Sequence, residues 1–275
     1  MKKALLLTLL SLSLAACSAG PFSAEEPEEE VPASSTVDDE EVKEKESTEA
    51  DQENGTEEQT GEEGANEQKE EKVTEDGLIQ VDKPESMTVV VNKNRKLPGE
   101  YVPPDLTVPD VPFYFNEDHP KKQMREEAAR ALEELFAAAE EDGLALVAAS
   151  GYRSYDRQKE IYDRNVEIYG EEETNTFSAK PGTSEHQTGL AMDVTSAEMS
   201  FKLEQSFGNT TEGEWLAEHA HEYGFIIRYI KGMKEVTGYM YEPWHLRYVG
   251  EEYSTDVHER EVTLEEFFGY YPSDE

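Results

Sequence analysis

The sequence has little positive charge, one cysteine and no long apolar run beyond its first 16 residues. It contains 25 Lys and Arg against 63 Asp and Glu, which gives a formal net charge of -38. This balance excludes nucleic acid as a partner, because cationic side chains must neutralise phosphates, and it excludes an electrostatic hold on anionic lipid. A single cysteine excludes an intramolecular disulfide, so a hydrophobic core must hold the fold.

The first twenty residues, MKKALLLTLLSLSLAACSAG, have the pattern of an export signal. Lys2 and Lys3 form a basic start, and residues 4–16 form an apolar run too short to span a bilayer as a mature helix. The run ends at Cys17, which resembles a bacterial lipoprotein signal, where cleavage precedes a cysteine that then carries the lipid. We therefore expect residues 1–16 to be removed and Cys17 to hold the exported protein on the outer face of the cytoplasmic membrane.

An acidic segment follows this signal. Residues 24–76 contain 23 acidic residues, four lysines and no aromatic residue. Such a segment buries too little apolar surface to offset the entropy of ordering, so residues 17–76 are predicted to be the lipidated cysteine and a disordered linker. Residues 77–275 are enough for one domain with its own core.

The remaining sequence alternates helices and short strands. Pro120, helical spacing of apolar residues and Gly143 predict a helix over 120–142. The other predicted elements are an extended segment over 89–113, strands over 144–149, 190–195, 225–230 and 239–249, and helices over 154–170, 214–224 and from Thr263. This order lacks βαβ regularity and predicts an α+β domain with a small, mostly antiparallel sheet flanked by helices.

Two short segments carry the candidate chemistry. SEHQTGLAMD places His186 seven residues before Asp193, and YEPWHLRYVG contains Glu242 and His245. The first pair is either two unrelated polar side chains or part of a metal site. Catalytic zinc takes three protein ligands and leaves a fourth position open, so two imidazoles and one carboxylate meet that need. Glu242 and His245 would face opposite sides of a regular strand, but the Pro between them favours a bulge.

The other histidines carry weaker signals. His119, His219, His221 and His258 are interpreted as structural. The stretch HEYGF begins like a zincin helix motif, but Phe225 stands where the second histidine is needed, so that interpretation fails.

Together the segments resemble the VanY-type D-alanyl-D-alanine carboxypeptidases, zinc peptidases of the group that includes lysostaphin-type enzymes and the hedgehog domain. The resemblance rests on Ser-x-His-x-x-Gly-x-Ala-x-Asp over 184–193 and Glu-x-Trp-His over 242–245, supported by SGYRS and YGFIIRY. It spans about residues 85–252 and implies a hedgehog/DD-peptidase-like zinc domain. The resemblance implies one Zn²⁺ on His186, Asp193 and His245, with Glu242 as general base and acid.

The resemblance also suggests substrate contacts. Arg153 would face the scissile carbonyl or the substrate carboxylate, although an arginine at a helix start is often only a surface residue. Gln158, five residues later, could point into the same cleft. Ser184 could bind the substrate backbone or serve only as a turn residue. Tyr229 is a weaker candidate, because a strand tyrosine is more often a packing residue.

These expectations describe a monomeric, lipid-anchored zinc carboxypeptidase that removes the C-terminal D-alanine from peptidoglycan stem peptides and faces the cell wall. One alternative is an L,D-carboxypeptidase that cuts the stem tetrapeptide. A second alternative, of another class, is a wall-binding module that holds zinc without turnover. Glu242 argues against the second alternative, because a binding module does not need a placed base.

Overall fold

The computed structural model describes residues 72–270, so the predicted signal, Cys17 and most of the acidic segment lie outside the described residues. Lys72–Val73 pairs with Ile79–Gln80 in an antiparallel arrangement. The last five residues of the predicted linker, 72–76, are therefore part of this hairpin. Along residues 72–270, no helix combines the length and the apolar character that crossing a membrane requires.

Short strands and helices alternate along the described residues. The strands are β1 (Lys72–Val73), β2 (Ile79–Gln80), β3 (Arg95–Lys96), β4 (Leu106–Thr107), β5 (Met124–Arg125), β6 (Leu146–Ser150), β7 (Ala191–Ser196), β8 (Phe225–Tyr229) and β9 (Glu242–Tyr248). The helices are α1 (Glu126–Glu141), α2 (Tyr155–Tyr169), α3 (Glu171–Phe177), α4 (Thr211–His219), α5 (Lys234–Thr237), α6 (Glu251–Glu259) and α7 (Leu264–Phe268).

The central sheet has four strands in the order β6-β7-β9-β8. Each neighbouring pair in it is antiparallel. Both central strands are largely buried, and every residue of β7 is buried. The prediction of an α+β domain around a small antiparallel sheet is confirmed.

The apolar face of α1 forms one side of the core. Its buried residues recur at helical spacing and pack with apolar residues of the sheet: Ala128, Leu132, Leu135 and Ala139 from the helix, and Met192, Val194 and Leu246 from the strands. Burying one leucine side chain contributes about 1.5–3 kcal/mol. The packing of α1 therefore stabilises the sheet that carries the candidate ligands Asp193 and His245.

The predicted start of the helix over 120–142 is wrong. Pro120–Lys122 forms only a short 3₁₀ turn, which His119 caps by accepting a hydrogen bond from the amide of Lys121. After Gln123, Met124–Arg125 pairs with β4 as β5, and α1 begins at Glu126. Met124 has the spacing of a helical residue, but it pairs with Thr107 of β4 in the preceding extended segment. This strand pairing prevents the helix from starting before Glu126. The end is confirmed, since Gly143 follows the helix with a φ of 81°.

Caps explain most of the other helix boundaries. Ser154 accepts a hydrogen bond from the amide of Arg157 at the start of α2, and Gly170 ends that helix, as predicted. The helix predicted over 214–224 begins earlier, at Thr211, and its last residues form a 3₁₀ turn before Gly224. Thr263 and Glu266 form the predicted capping box of α7. The sequence interpretation missed α3, α5 and α6.

Candidate metal centre

The pairing of three strands brings polar side chains together at one place. Ser150 of β6 lies opposite Asp193 of β7, and Asp193 lies opposite His245 of β9. Residues that pair across neighbouring strands point to the same face of a sheet. The register of the sheet therefore places Asp193 directly beside His245.

His186 reaches the same place from a 3₁₀ turn, Glu185–Thr188, that precedes β7. Gly189 ends this turn with a φ of 68°, a backbone conformation that favours glycine. A β-carbon there would lie 3.0 Å from the side chains of Arg125 and Leu106. Gly189 thus has a structural role, because it lets the turn pass close to neighbouring elements.

A bulge in β9 brings Glu242 to the side of His245. Ile227 of β8 pairs with Leu246, whereas Tyr229 pairs with Glu242. An advance of two residues along β8 therefore corresponds to four residues along β9, which defines the bulge. One Oε atom of Glu242 consequently lies 3.9 Å from Nδ1 of His245. The predicted bulge between Glu242 and His245 is confirmed.

The three predicted ligands form one compact group. Metal-binding atoms of His186, Asp193 and His245 all lie within 4.8 Å of one another. Each residue is nearly buried, with exposures of 6%, 4% and 4%. Oδ2 of Asp193 lies 3.4 Å from Nε2 of His186, and Oδ1 lies 3.0 Å from Nδ1 of His245.

The unsatisfied atoms of this group fit a cation. Oδ1 of Asp193 is buried and accepts no hydrogen bond, although Nδ1 of His245 is only 3.0 Å away. A buried acceptor without a partner costs about 1–3 kcal/mol unless another group satisfies it. One carboxylate oxygen and two ring nitrogens lie within 4.8 Å of one another, and this donor set suits zinc. The residues present therefore fit a Zn²⁺ ion.

The other nitrogen of each ring has an oxygen partner. Nδ1 of His186 donates to the carbonyl of Gly151 at 2.8 Å. Nε2 of His245 donates to Oε2 of Glu185 at 3.4 Å. Oxygen partners of this kind fix the tautomer of metal-binding histidines. In the neutral form of each ring, the lone pair is consequently on Nε2 of His186 and on Nδ1 of His245, the nitrogens that face Asp193.

The environment shifts the pKa of each group in the centre. Burial lowers the pKa of His186 to about 3. Burial also opposes protonation of His245, but the nearby carboxylates of Asp193 and Glu185 outweigh it and raise the pKa of His245 to about 9. Burial favours the protonated form of Asp193, yet the two imidazoles lower its pKa overall. Metal binding requires the neutral form of His245, so a metal competes with the proton that the two carboxylates favour.

Glu242 differs from the ligands in its surroundings. Its side chain is 22% exposed, whereas that of Asp193 is 6% exposed. Burial raises the pKa of Glu242 to about 7, even though His245 and Arg153 act in the opposite direction. A carboxylate with a pKa near neutral both accepts and returns a proton at neutral pH.

Arg153 and Gln158 are brought together beside the centre. Nη1 of Arg153 donates to Oε1 of Gln158 at 3.0 Å, and Nη2 lies 3.3 Å from Oγ of Ser150. The Gln158 amide nitrogen donates to the carbonyl of Ala179 at 2.7 Å. The backbone amide of Arg153 also donates to the carbonyl of His186 at 3.1 Å. Gln158 therefore holds the guanidinium, whose contact with substrate remains a prediction.

The two other predicted substrate contacts are almost fully buried. Ser184 is 5% exposed and does not cap the turn that follows it. Tyr229 is 4% exposed, and its ring centre lies 5.0 Å from that of His245. The Tyr229 ring also packs on Tyr239. These contacts place Tyr229 as a support for His245, and substrate binding by either residue stays a prediction.

Glu185 is the site residue that the sequence interpretation missed. It sits inside the SEHQTGLAMD motif, but its side chain is fully buried and contacts His245, Arg228 and Arg247. The signal lay in the two apolar stretches FIIRYI and HLRYVG, each with a single arginine. A charged residue inside a buried strand requires a buried partner of opposite charge.

A large open pocket lies elsewhere in the domain. It has a volume of about 390 Å³ and is lined by residues that include Met87, Glu127, Tyr248 and Tyr253. None of the predicted ligands lines it. The position of the candidate centre therefore follows from its donor atoms and not from cavity size.

The fold and the site together define a class of protein. A small antiparallel sheet and the 3₁₀ turn before β7 bring two imidazoles and one carboxylate within 4.8 Å of one another, with a second carboxylate and a guanidinium beside them. This arrangement is typical of metal-dependent peptide hydrolases.

Comparison with known proteins agrees with this class. The family model for VanY, D-alanyl-D-alanine carboxypeptidase, matches residues 121–251. YodJ of Bacillus subtilis (strain 168) is 50% identical over 193 residues, which cover 70% of this chain and 71% of YodJ. A D-alanyl-D-alanine carboxypeptidase of Enterococcus faecalis (strain ATCC 700802 / V583) is 35% identical over 197 residues, covering 68% of each chain.

A solved structure of the LdcB LD-carboxypeptidase aligns with a TM-score of 0.70 at 47% identity, covering 74% of this chain and 95% of that one. The chain belongs to the VanY-type family of D-alanyl-D-alanine carboxypeptidases.

The ligand assignment predicts which substitutions remove the metal. His186→Ala and Asp193→Ala should each lose zinc and activity together, because each removes one of three protein ligands. His219→Ala is the matched control, since His219 contacts Glu222 away from the centre, and it should keep the parent zinc content. Metal analysis after dialysis measures the result. Full zinc occupancy in both ligand variants would contradict the assignment.

Proposed function

We propose that the protein is a zinc carboxypeptidase that removes the C-terminal D-alanine from peptidoglycan stem peptides. The single observation that carries this function is the placement of Glu242, whose Oε atom is 3.9 Å from Nδ1 of the ligand His245. When bound, zinc supplies Lewis-acid chemistry that polarises the scissile carbonyl and acidifies water. Family membership supports the same reaction class.

Glu242 and Arg153 have different proposed roles in the reaction. Glu242 takes a proton from the attacking water and later delivers it to the nitrogen of the leaving D-alanine. The net reaction adds one water across the peptide bond, so one carboxylate and one amine are formed. Arg153 lies beside the centre with two donors already oriented by Gln158 and Ser150. Its permanent charge suits the developing oxyanion or the substrate carboxylate.

An L,D-carboxypeptidase activity is the second candidate. The structural similarity to the LdcB LD-carboxypeptidase, with a TM-score of 0.70, favours it. A structure of the D,D-pentapeptidase VanY in complex with Zn(II) aligns with a TM-score of 0.55 at 33% identity, covering 66% of this chain and 98% of that one. The two activities differ in the stereochemistry of the residue before the cut bond, so the substrate length separates them.

The location of the protein is also proposed from its sequence. The lipid on Cys17 would hold a single zinc domain, as a monomer, on the outer face of the cytoplasmic membrane. A flexible segment of about 50 residues has a coil span of roughly 40 Å, and more when like charges repel. That distance would let the domain reach stem peptides in the wall.

Product analysis tests the function and the role of Glu242 together. The parent protein should release one D-alanine from stem pentapeptide, or from tetrapeptide if it is an L,D-enzyme, as identified by mass. Glu242→Gln should keep zinc but lower turnover by roughly 10²–10⁴-fold, the usual effect of losing a positioned acid or base. Hydrolysis by Glu242→Gln at the parent rate would remove the assigned role. Zinc binding without cleavage of either peptide would favour the wall-binding module.

The pKa of Glu242 predicts the acid side of the pH profile. Only the ionised carboxylate accepts a proton, and its pKa is raised to about 7. Turnover should therefore fall as the pH drops below neutral. A cation on the neighbouring ligands favours the ionised form, so the midpoint should lie at or below about 7. A midpoint well above 7 would point to a different titrating group.

Recognition of the chain end predicts a role for Arg153. A carboxypeptidase distinguishes a terminus from a chain interior by its free carboxylate. Arg153→Lys and Arg153→Ala should both lose at least about 2 kcal/mol of transition-state stabilisation, because an ammonium cannot form two parallel bonds. Zinc content should not change. An amidated stem peptide should be a poor substrate, and equal cleavage of free and amidated peptides would favour an endopeptidase.

Removal of the lipid site tests the proposed location. Cys17→Ser should release the protein from the membrane fraction into the medium, because stable anchoring requires more than one acyl chain. Immunoblots of fractionated cells measure this distribution. A Cys17→Ser protein that still sediments with membranes would overturn the proposed anchor.

A further inference from the structure

Four charged side chains form a buried network behind the metal centre. Glu185, Arg228, Arg247 and Glu265 each have a side-chain exposure of 0%. Oε1 of Glu185 accepts from Nε of Arg228 at 2.7 Å and from Nη1 of Arg247 at 2.8 Å. Arg228 also forms a two-point contact with Glu265 of α7, at 2.5 and 2.9 Å. Two positive and two negative charges make the network neutral.

Stability alone does not explain such a network. Removing a charge from water is costly, and a buried ion pair is often no more stabilising than apolar residues of similar volume. Arg247 is further held by backbone carbonyls, since its Nη2 donates to the carbonyls of Met87 at 3.0 Å and Val89 at 2.7 Å. The network is therefore fixed in place on several sides, and one of its atoms faces the metal centre.

That atom is Oε2 of Glu185. The arginines contact Oε1, while Oε2 lies 3.4 Å from Nε2 of His245. Two buried guanidinium groups contact Oε1 of this carboxylate at 2.7 and 2.8 Å, and these ion pairs keep the carboxylate ionised. An ionised carboxylate accepts hydrogen bonds and donates none. It therefore requires the proton of His245 to sit on Nε2.

The tautomer decides whether His245 can bind a metal through Nδ1. A neutral imidazole has one protonated nitrogen and one lone pair. With the proton on Nε2, the lone pair is on Nδ1, the nitrogen 3.0 Å from Asp193. With the proton on Nδ1, the metal-facing nitrogen has no lone pair to give. Partners of this kind typically change metal affinity 10–100-fold when they are removed.

We infer that Glu185 is a positioning residue that fixes the tautomer and ring orientation of His245, and that Arg228 and Arg247 hold Glu185 for this purpose. The inference rests on the proposed ligand role of His245 and concerns metal affinity, which is measured without substrate. Glu265 belongs to the same network through Arg228 but lies beyond the family-matched residues 121–251. It offers a matched control.

Zinc affinity of two isosteric variants tests the inference. Glu185→Gln should bind zinc roughly 10–100-fold more weakly in competition with a chromophoric chelator, because the amide no longer requires the proton on Nε2. Glu265→Gln also leaves Arg228 with one fewer buried carboxylate and should lower the melting temperature, but it should change zinc affinity less than about threefold. Circular dichroism before and after zinc removal checks that both variants are folded.

Several outcomes would overturn the inference. Zinc affinity of Glu185→Gln within threefold of the parent would mean that the network only joins elements of the fold. An equal loss in Glu265→Gln would assign the effect to the whole network and not to the contact with His245. Full zinc binding by His245→Ala would instead remove the ligand assignment on which the inference rests, independently of Glu185.

A measurement on the parent protein covers the case in which Glu185→Gln does not fold. In the zinc-loaded parent, ¹⁵N-resolved NMR of the histidine rings should show the His245 proton on Nε2. That proton should exchange slowly and resonate downfield, as expected for a bond to a buried carboxylate. A His245 ring that carries its proton on Nδ1 would overturn the inference without any substitution.

Discussion

The register in which β7 pairs with its two neighbours places Asp193 beside His245, and the rest of the candidate site is arranged around this pair. Asp193 lies opposite Ser150 on one side and His245 on the other. A shift of one residue would turn Asp193 to the opposite face of the sheet and separate it from both. Because every residue of β7 is buried, such a shift would also move apolar side chains out of the core. The packing that stabilises the sheet thus also holds the ligands in place.

Charge is distributed differently on the surface and inside the domain. The chain has a formal net charge of -38, yet the buried carboxylates of Glu185 and Glu265 are matched by Arg228 and Arg247. Exposed acidic residues cost little in water, whereas unpaired buried ones cost several kcal/mol. The need to pair each buried carboxylate with a positive charge is therefore not evident from the overall composition. Asp193 is the exception that fits a metal, since one of its buried oxygens accepts no hydrogen bond.

The local signals in the sequence predicted much of the fold and the ligand set. Ser154 and Gly170 mark the start and the end of α2, and both could be predicted because capping depends on a few neighbouring residues. The start of α1 was wrong because Met124 satisfies helical spacing but pairs with a strand that is distant in sequence. Glu185 was missed for the same reason. Its partners come from β8, β9 and, through Arg228, α7. The single arginines in two apolar stretches signal a buried carboxylate, but no local pattern identifies that carboxylate as Glu185.

The bulge in β9 explains how one strand places a candidate metal ligand and the proposed base side by side. A regular strand would send Glu242 and His245 to opposite faces, and the extra residues between their pairing positions bring both to one side. The resulting environments differ, because Glu242 is 22% exposed while His245 is 5% exposed. The candidate ligand is enclosed, which favours binding of a cation, whereas the proposed base is partly open to solvent. A module that only bound zinc would not need Glu242 beside His245. The bulge that places Glu242 there therefore argues for catalysis.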